Sequence, residues 1–321
     1  MKRCAVLVLG LALAVLGGPL QAQTAYPAKP VRMLVGFAPG GGNDILARLM
    51  AEHFQQTLGQ PFVVENRPGA SGMIAIEAVR QAAPDGHTLL VGPSSGMAVN
   101  PALFAKINYD PVKDFAPISL VGDIPMIVTV NPASKAGTLQ EFIASAKRSA
   151  KPLLVGSGAT SFQLAAAVFA SKAGITLDNV NYKGNSQVVT AMLANEVDVA
   201  LIDAAAVMPQ IQAGKLRALA VTGSRRFSQL PDVPTADEAG ARGFVMSFWS
   251  ALFAPAGTPP AVVTKLQGAV QQALAKPEVS RRLKDLGIEP VGSSAAELAD
   301  TMARDLPLYK EAARLAKVQP Q

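Results

Sequence analysis

The chain has 321 residues, 50% of them hydrophobic, enough for two ordinary domains. Its formal charge is +6, from 29 basic and 23 acidic residues. The basic residues are scattered, with no stripe and no interleaved aromatics, which speaks against nucleic acid as a partner. One cysteine excludes a disulfide framework, and two histidines leave little for a metal centre.

Lys2 and Arg3 precede an apolar run from Ala5 to Leu16, then Gly17, Gly18, Pro19 and Leu20-Gln21-Ala22. A basic start, a short apolar stretch and a small residue at the end describe a secretory signal peptide over 1–22, with cleavage expected after Ala22 and Ala25 as second choice. The apolar run is short for a membrane span. Cys4 lies inside the signal, too near the start for lipidation. Without Lys2 and Arg3 the side-chain balance is +4, from 27 basic and 23 acidic residues. No later segment is an apolar run of membrane-spanning length, so the expected destination is the periplasm, as an unanchored monomer.

The first folded unit is Val31 to Val35, a β-prone run, followed by Gly36, Phe37, Ala38, Pro39, Gly40, Gly41 and Gly42. A helix is predicted from about Asn43 to Leu58, with Asn43 and Asp44 both of N-cap type and Gly59 closing it. Strand, tight loop and helix start in succession bring free backbone N–H groups and the positive end of a helix dipole together. Glycines let a ligand approach that backbone. The loop is therefore either an anion site, for phosphate or carboxylate, or a tight turn that binds nothing. A dinucleotide fingerprint fails because Ile45 stands at its third glycine, and a P-loop fails because Asn43 and Asp44 follow Gly42. A small carboxylate is favoured over a nucleotide.

The same plan recurs. Pro61 to Asn66 reads as a strand, Arg67-Pro68-Gly69-Ala70-Ser71-Gly72 as a loop, and Ile74 to Val79 as a helix. Thr88 to Val91 is a third strand, ahead of Gly92-Pro93-Ser94-Ser95-Gly96. Successive βα units imply a parallel sheet with right-handed crossovers, and its ligands sit at the C-terminal strand ends. Near Asp123 the rhythm shifts to a strand at Met126–Val130. A helix over 138–150 follows, with Thr138 and Glu141 spaced as a capping box. Strands are expected at 152–155, 179–182, 197–203 and 216–222. Helices are expected at 161–173 and 186–195, with Gly158, Ala159, Thr160 and Ser161 in a small-residue loop. Residues 230–235 are proline-punctuated and irregular. A strand at 250–254 precedes helices at 261–275, 277–286 and 295–316.

Gly92-Pro93-Ser94-Ser95-Gly96 matches the nucleophile-elbow pattern of α/β hydrolases. Those enzymes place acid and then histidine after the serine, whereas His53 and His87 both precede Ser94. That order excludes the hydrolase triad. Ser94 and Ser95 read instead as hydroxyl donors beside a ligand or as plain loop residues. The two histidines read as structural or solvated. Asp44 suits either a helix cap or a ligand contact, and Asp203, an acid ending a strand at the ligand edge, suits either role.

The chain resembles the substrate-binding proteins of tripartite tricarboxylate transporters, the Bug-type periplasmic receptors. The matching stretches include Tyr26 to Arg32, Pro39 to Asp44, Val64 to Ala70, Ala83 to Leu90, Asn100 to Leu103 and Tyr109 to Phe115. They continue through Tyr182-Lys183-Gly184, Gly214 to Thr222, Leu230 to Thr235 and Ala254 to Pro259, and cover essentially the whole mature chain in order. The resemblance implies an α/β, type II periplasmic-binding-protein fold. In it, lobe I (26–124 plus 246–321) and lobe II (125–245) are joined by two crossovers with the ligand cleft between them. It implies capture of a small carboxylic acid, delivery to membrane permease subunits, no cofactor, no metal and no catalysis. It places Phe37, Ala38, Pro39, Gly40, Gly41 and Gly42 on the carboxylate, with Ala70, Ser71, Gly72, Ser94 and Ser95 beside them. From lobe II, Gly158, Ala159, Thr160, Ser161 and Asp203 would face it. Phe162 stands where many members carry a different loop ending, and it either narrows the pocket, stacks on an aromatic acid or joins the core. A ligand-sensing accessory protein for a signalling partner is the alternative function, and a serine hydrolase using Ser94 a more distant one.

Overall fold

The computed structural model describes residues 26–319. The expected signal peptide and Cys4 lie outside the described residues. Strands β1 (Val31–Val35), β2 (Phe62–Asn66) and β3 (Thr88–Pro93) run parallel in the order β2-β1-β3. Helices α1 (Gly42–Leu58) and α2 (Met73–Arg80) connect them. Strands β1 and β3 are largely buried on both faces, as a sheet covered on both sides requires, while β2 forms the edge. A π-helical turn at Ser95–Val99 leads into α3 (Asn100–Leu103).

Strand β4 (Phe115–Val130) is one continuous run of 16 residues. Only its second half, from Met126, is legible as a strand in the sequence. Pro117 and Pro125 mask the rest, because proline lacks a ladder donor. Beyond it come α4 (Leu139–Arg148), β5 (Leu153–Ser157), α5 (Thr160–Ala173), β6 (Leu177–Asn181), α6 (Asn185–Leu193), β7 (Val199–Asp203), α7 (Ala204–Gln212) and β8 (Arg217–Val221). Helix α7 is absent from the sequence expectations, since Pro209 sits within it. Thr138 caps α4 by accepting from Glu141 N at 3.2 Å, but Glu141 reaches Gly137 N rather than Thr138, so the capping box is only half formed. The chain returns through β9 (Ser247–Pro255), α8 (Pro260–Leu274), α9 (Pro277–Asp285), β10 (Glu289–Pro290) and α10 (Ala295–Leu315).

Two sheets share β4. In the first, β9 lies antiparallel between β3 and the first half of β4. In the second, β7 and β8 pair antiparallel with the second half of β4, and β5 and β6 extend from β7 in parallel. Register fixes where the strand ends meet. Pro93, the last residue of β3, pairs with Ser250, while Asp203, the last of β7, pairs with Met126. Between these points β4 and β9 run side by side, with Ile124 opposite Phe248 and Pro125 opposite Ser247. The C-terminal edges of both parallel sheets therefore face one another across this two-strand ribbon.

Side chains alternate across the ribbon, so Asp123, Pro125, Ser247 and Trp249 share one face and Ile124, Phe248 and Ser250 the other. The first face is closed by α10. Trp249 and Tyr309 are both fully buried there. Trp249 Nε1 donates to Asp305 Oδ2 at 2.8 Å, and Arg304 Nε donates to Asp305 Oδ1 at 2.8 Å. The largest apolar cluster runs from β3 through this contact to Phe162, Leu164 and Phe169 of α5, so α10 ties the two halves together.

Candidate functional site

Six junctions follow the strands β1, β2, β3, β5, β6 and β7 at the facing sheet edges. At the first, α1 begins one residue earlier than the sequence pattern suggests. Gly41 is its N-cap, and neither Asn43 nor Asp44 caps it. Asp44, buried in the first turn, instead organises the loop. Its carboxylate accepts from Gly40 N at 2.9 Å, Asn66 Nδ2 at 2.9 Å and Arg48 Nε at 3.0 Å. Burial pushes its pKa up, but the hydrogen bonds from Arg48, Gly40 and Asn66 outweigh that and hold the group below the ordinary carboxylate range. Asn66 Nδ2 also reaches Phe37 O at 3.1 Å, fixing the loop from β2. Asn43 accepts from the Ser250 hydroxyl, which joins α1 to the ribbon. Ala38, Pro39, Gly40, Gly41 and Gly42 are left exposed.

The second loop packs directly on the first. A Cβ on Gly36 would lie 2.7 Å from Gly72 Cα, and the Phe37 ring covers Gly72. Gly69, Ala70, Ser71 and Gly72 follow one another with φ of 126°, 46°, 55° and 86°. Left-handed backbone at Ala70 and Ser71 costs on the order of 1–2 kcal/mol per residue, and such strain concentrates where a loop is shaped for a ligand. Asn100 Nδ2 holds Ser71 O at 3.1 Å. Arg67, the only arginine in these loops, is engaged with Glu65 at 3.4 Å.

Ser94 takes a different place. It is buried, and its Oγ accepts from Trp249 N at 3.2 Å, so its hydroxyl belongs to the ribbon. Ser95 is half-buried at the start of the π turn. Neither histidine hydrogen-bonds this serine. His53 is buried in α1, where burial lowers its pKa, and His87 sits 3.3 Å from Asp85 in its turn. Among the described residues no group of three or more His, Cys, Asp or Glu is placed to hold a metal ion.

Across the cleft, Gly158 lies so close to Gly184 and Asn185 that a Cβ there would meet Asn185 N at 2.7 Å. The loops after β5 and β6 are thus locked together, as in the first sheet. Ala159 is the N-cap of α5, Thr160 is exposed and Ser161 half-buried. Phe162 is buried, with its ring edge-on to Phe248 at a centroid distance of 5.3 Å and an interplanar angle of 90°. Asp203 is the N-cap of α7, accepting from Ala206 N at 3.0 Å, and its second oxygen accepts from Asn185 Nδ2. Asp203→Ala is therefore expected to destabilise the fold by about 1 kcal/mol through the lost cap. Urea unfolding measures it, and an unchanged midpoint would contradict the capping role.

Helices α1, α2, α5 and α6 all start at this cleft without a side-chain cap hydrogen bond. Elsewhere Thr138 caps α4 and Ser294 caps α10 with a complete capping box, while α8 and α9, which start on proline, also lack a side-chain cap. The uncapped starts leave backbone donors and partial positive charge at the C-terminal edges of the two parallel sheets. Asn185 and Phe248 belong to this arrangement and carry no motif that sequence reading could single out, whereas Asn66 lies within the Val64 to Ala70 stretch. A separate cavity of about 200 Å³ lies on the opposite face of the ribbon, where Asp123, Ser247, Trp249, Arg225 and Arg304 line it and none of the glycine loops reaches.

Known proteins are similar to this chain in sequence and fold. The family described as "Tripartite tricarboxylate transporter family receptor" matches residues 46–313. Protein BugT of Bordetella pertussis is 37% identical over 290 residues, covering 89% of this chain and 89% of BugT. Rhodopseudomonas palustris Rpa4515, solved with adipate, is 30% identical with a TM-score of 0.71, covering 92% of this chain and 100% of that one. MatC of the same organism, solved with bound malate, is 33% identical with a TM-score of 0.66, covering 89% and 99%. The fold is that of the two-lobed periplasmic binding proteins. The chain belongs to the tripartite tricarboxylate transporter receptor family, the Bug-type solute-binding proteins.

Proposed function

We propose that this chain is a periplasmic receptor that closes on a small carboxylic acid and hands it to the membrane permease of a tripartite tricarboxylate-type transporter. The observation that carries the reading is the presence of four uncapped helix starts and two interlocked glycine loop pairs at the C-terminal edges of the two parallel sheets. Backbone N–H groups and helix dipoles suit reversible capture of an anion. They supply no nucleophile with an adjacent base, so the protein acts without turnover and without a cofactor. The relatives solved with adipate and malate support the ligand class. Lobe I comprises 26–124 and 246–321, lobe II 125–245. Phe37 to Gly42 and Ala70 to Gly72 meet the carboxylate, while Gly158 to Ser161 and Asp203 close from the other side. Residues 1–22 direct secretion, and among the described residues no helix is long and apolar enough to cross a membrane.

In this reading the ribbon of β4 and β9 is the hinge. Ligand binding shifts the population toward the closed form because only closure brings both sets of helix starts to the acid. A thermal-shift panel of mono-, di- and tricarboxylates, with neutral sugars and amides as controls, tests it. An acid at 100 times its dissociation constant stabilises by about 2.7 kcal/mol. Stabilisation by a sugar and by none of the acids would sink the carboxylate assignment.

A further inference from the structure

Resting on the receptor reading above, we infer that this cleft prefers a monocarboxylic acid with a flat apolar body, and that Phe248 is the residue that sets this preference. Phe248 lies on the face of the ribbon away from Trp249 and α10. On that face its neighbour Ser250 donates to Asn43 at the start of α1. Phe248 itself meets Phe162 at the start of α5. Its ring therefore lies on the floor of the cleft between the first helix start of lobe I and that of lobe II. Ile124, opposite Phe248 in the ladder, shares this face, and both are half-buried. The floor of an otherwise polar, backbone-lined site is thus apolar.

Phe162 stands edge-on to Phe248 at 90°. A ligand ring laid on Phe248 would extend this aromatic pairing, in a geometry that adds to the burial of apolar area. The charges point the same way. Arg67 is already engaged by Glu65, and lobe II presents the Asp203 carboxylate at the cleft edge. A second ligand carboxylate would meet that like charge. Lys183 lies in the neighbouring loop but is exposed, so its attraction is screened. One carboxylate on the glycine loops and an apolar body on Phe248 satisfy the site. This preference differs from the dicarboxylates bound in the two relatives above.

Calorimetric titration with benzoate, cyclohexanecarboxylate, adipate and malate tests the inference on the wild-type chain, Phe248→Leu and Phe248→Ala. Benzoate is expected to bind at least tenfold more tightly than malate or adipate. Phe248→Ala is expected to weaken benzoate at least tenfold and to change malate less than threefold, with Phe248→Leu between. The leucine variant keeps the floor filled should the alanine variant fail to fold. Tight malate or adipate binding with weak benzoate binding would overturn the inference and leave the receptor reading standing. Equal losses for benzoate and malate in Phe248→Leu would also overturn it. No heat with any acid, including those of the thermal-shift panel, would overturn both.

Discussion

Gly36→Ala is expected to weaken capture of the acid by roughly 5- to 100-fold and to lower the melting temperature with it. The cause is geometric. The new methyl would sit 2.7 Å from Gly72 Cα, 3.0 Å from Gly72 O and 3.3 Å from Gly72 C. All three are backbone atoms, so no side chain can rotate away. Overpacking of this kind costs about 1–3 kcal/mol. The loops that separate are the two that carry the lobe I helix starts, so the damage falls on the proposed carboxylate site. Gly268→Ala in α8 is the matched control, because nothing lies within 4 Å of the added atom. An ordinary helix interior gains about 0.5–1 kcal/mol from that exchange. Calorimetry and thermal melts on both variants decide the matter. Wild-type affinity in Gly36→Ala would show that the contact between the two loops does not shape the site.

The second large effect concerns the ribbon of β4 and β9. Asp123 sits on the buried face of the ribbon, and its carboxyl is pushed up to about 6. Burial is the main cause. The Ser247 hydroxyl pulls the value down, Asp305 raises it, Arg304 lowers it and Glu289 raises it again. A carboxyl raised in the folded state binds its proton first on acidification. The group therefore costs stability at neutral pH, and that cost is relieved as the pH falls through about 6 toward the unfolded value near 4. Raising a carboxyl from near 4 to about 6 costs the charged form about 3 kcal/mol. Asp123→Asn removes the buried charge and keeps an acceptor for Ser247. It is expected to be more stable than wild type by up to about 3 kcal/mol at pH 7.5, with the gap closing by pH 4. Denaturant unfolding at the two pH values measures this, and a gap independent of pH would contradict it.

Where the sequence is legible, the reason is local chemistry. The βα units around Gly40 to Gly42 and Gly69 to Gly72 announce themselves because glycine, a helix cap type and an apolar period coincide within ten or so residues. Their meeting at Gly36 and Gly72 does not, since it is a contact between backbones far apart in sequence. Asp44 illustrates a middle case. Its residue type suggests a cap, yet it serves as a buried anchor because Asn66 and Arg48 reach it from β2 and from one turn on. Ser94 looks like a site residue from its motif, but pairing of β3 with β9 turns its oxygen to Trp249 N. Asn185 and Phe248 have no local signature at all. One is chosen by the close approach of Gly158, the other by the alternation of β9. The unread first half of β4 and the unread α7 share one cause, since proline in an element interior hides it from pattern reading.

Backbone donors that recognise negative charge are the heart of the proposed receptor, so the most direct measurement compares an acid with its own amide. The acid that stabilises the protein most in the thermal-shift panel is titrated calorimetrically beside the matching primary amide, at one pH and ionic strength. The two share shape and apolar area and differ in charge. Loss of at least about 2 kcal/mol on passing to the amide, roughly thirtyfold in affinity, is the predicted result. Equal affinity for acid and amide would contradict it, because the four helix starts would then be recognising something other than a carboxylate.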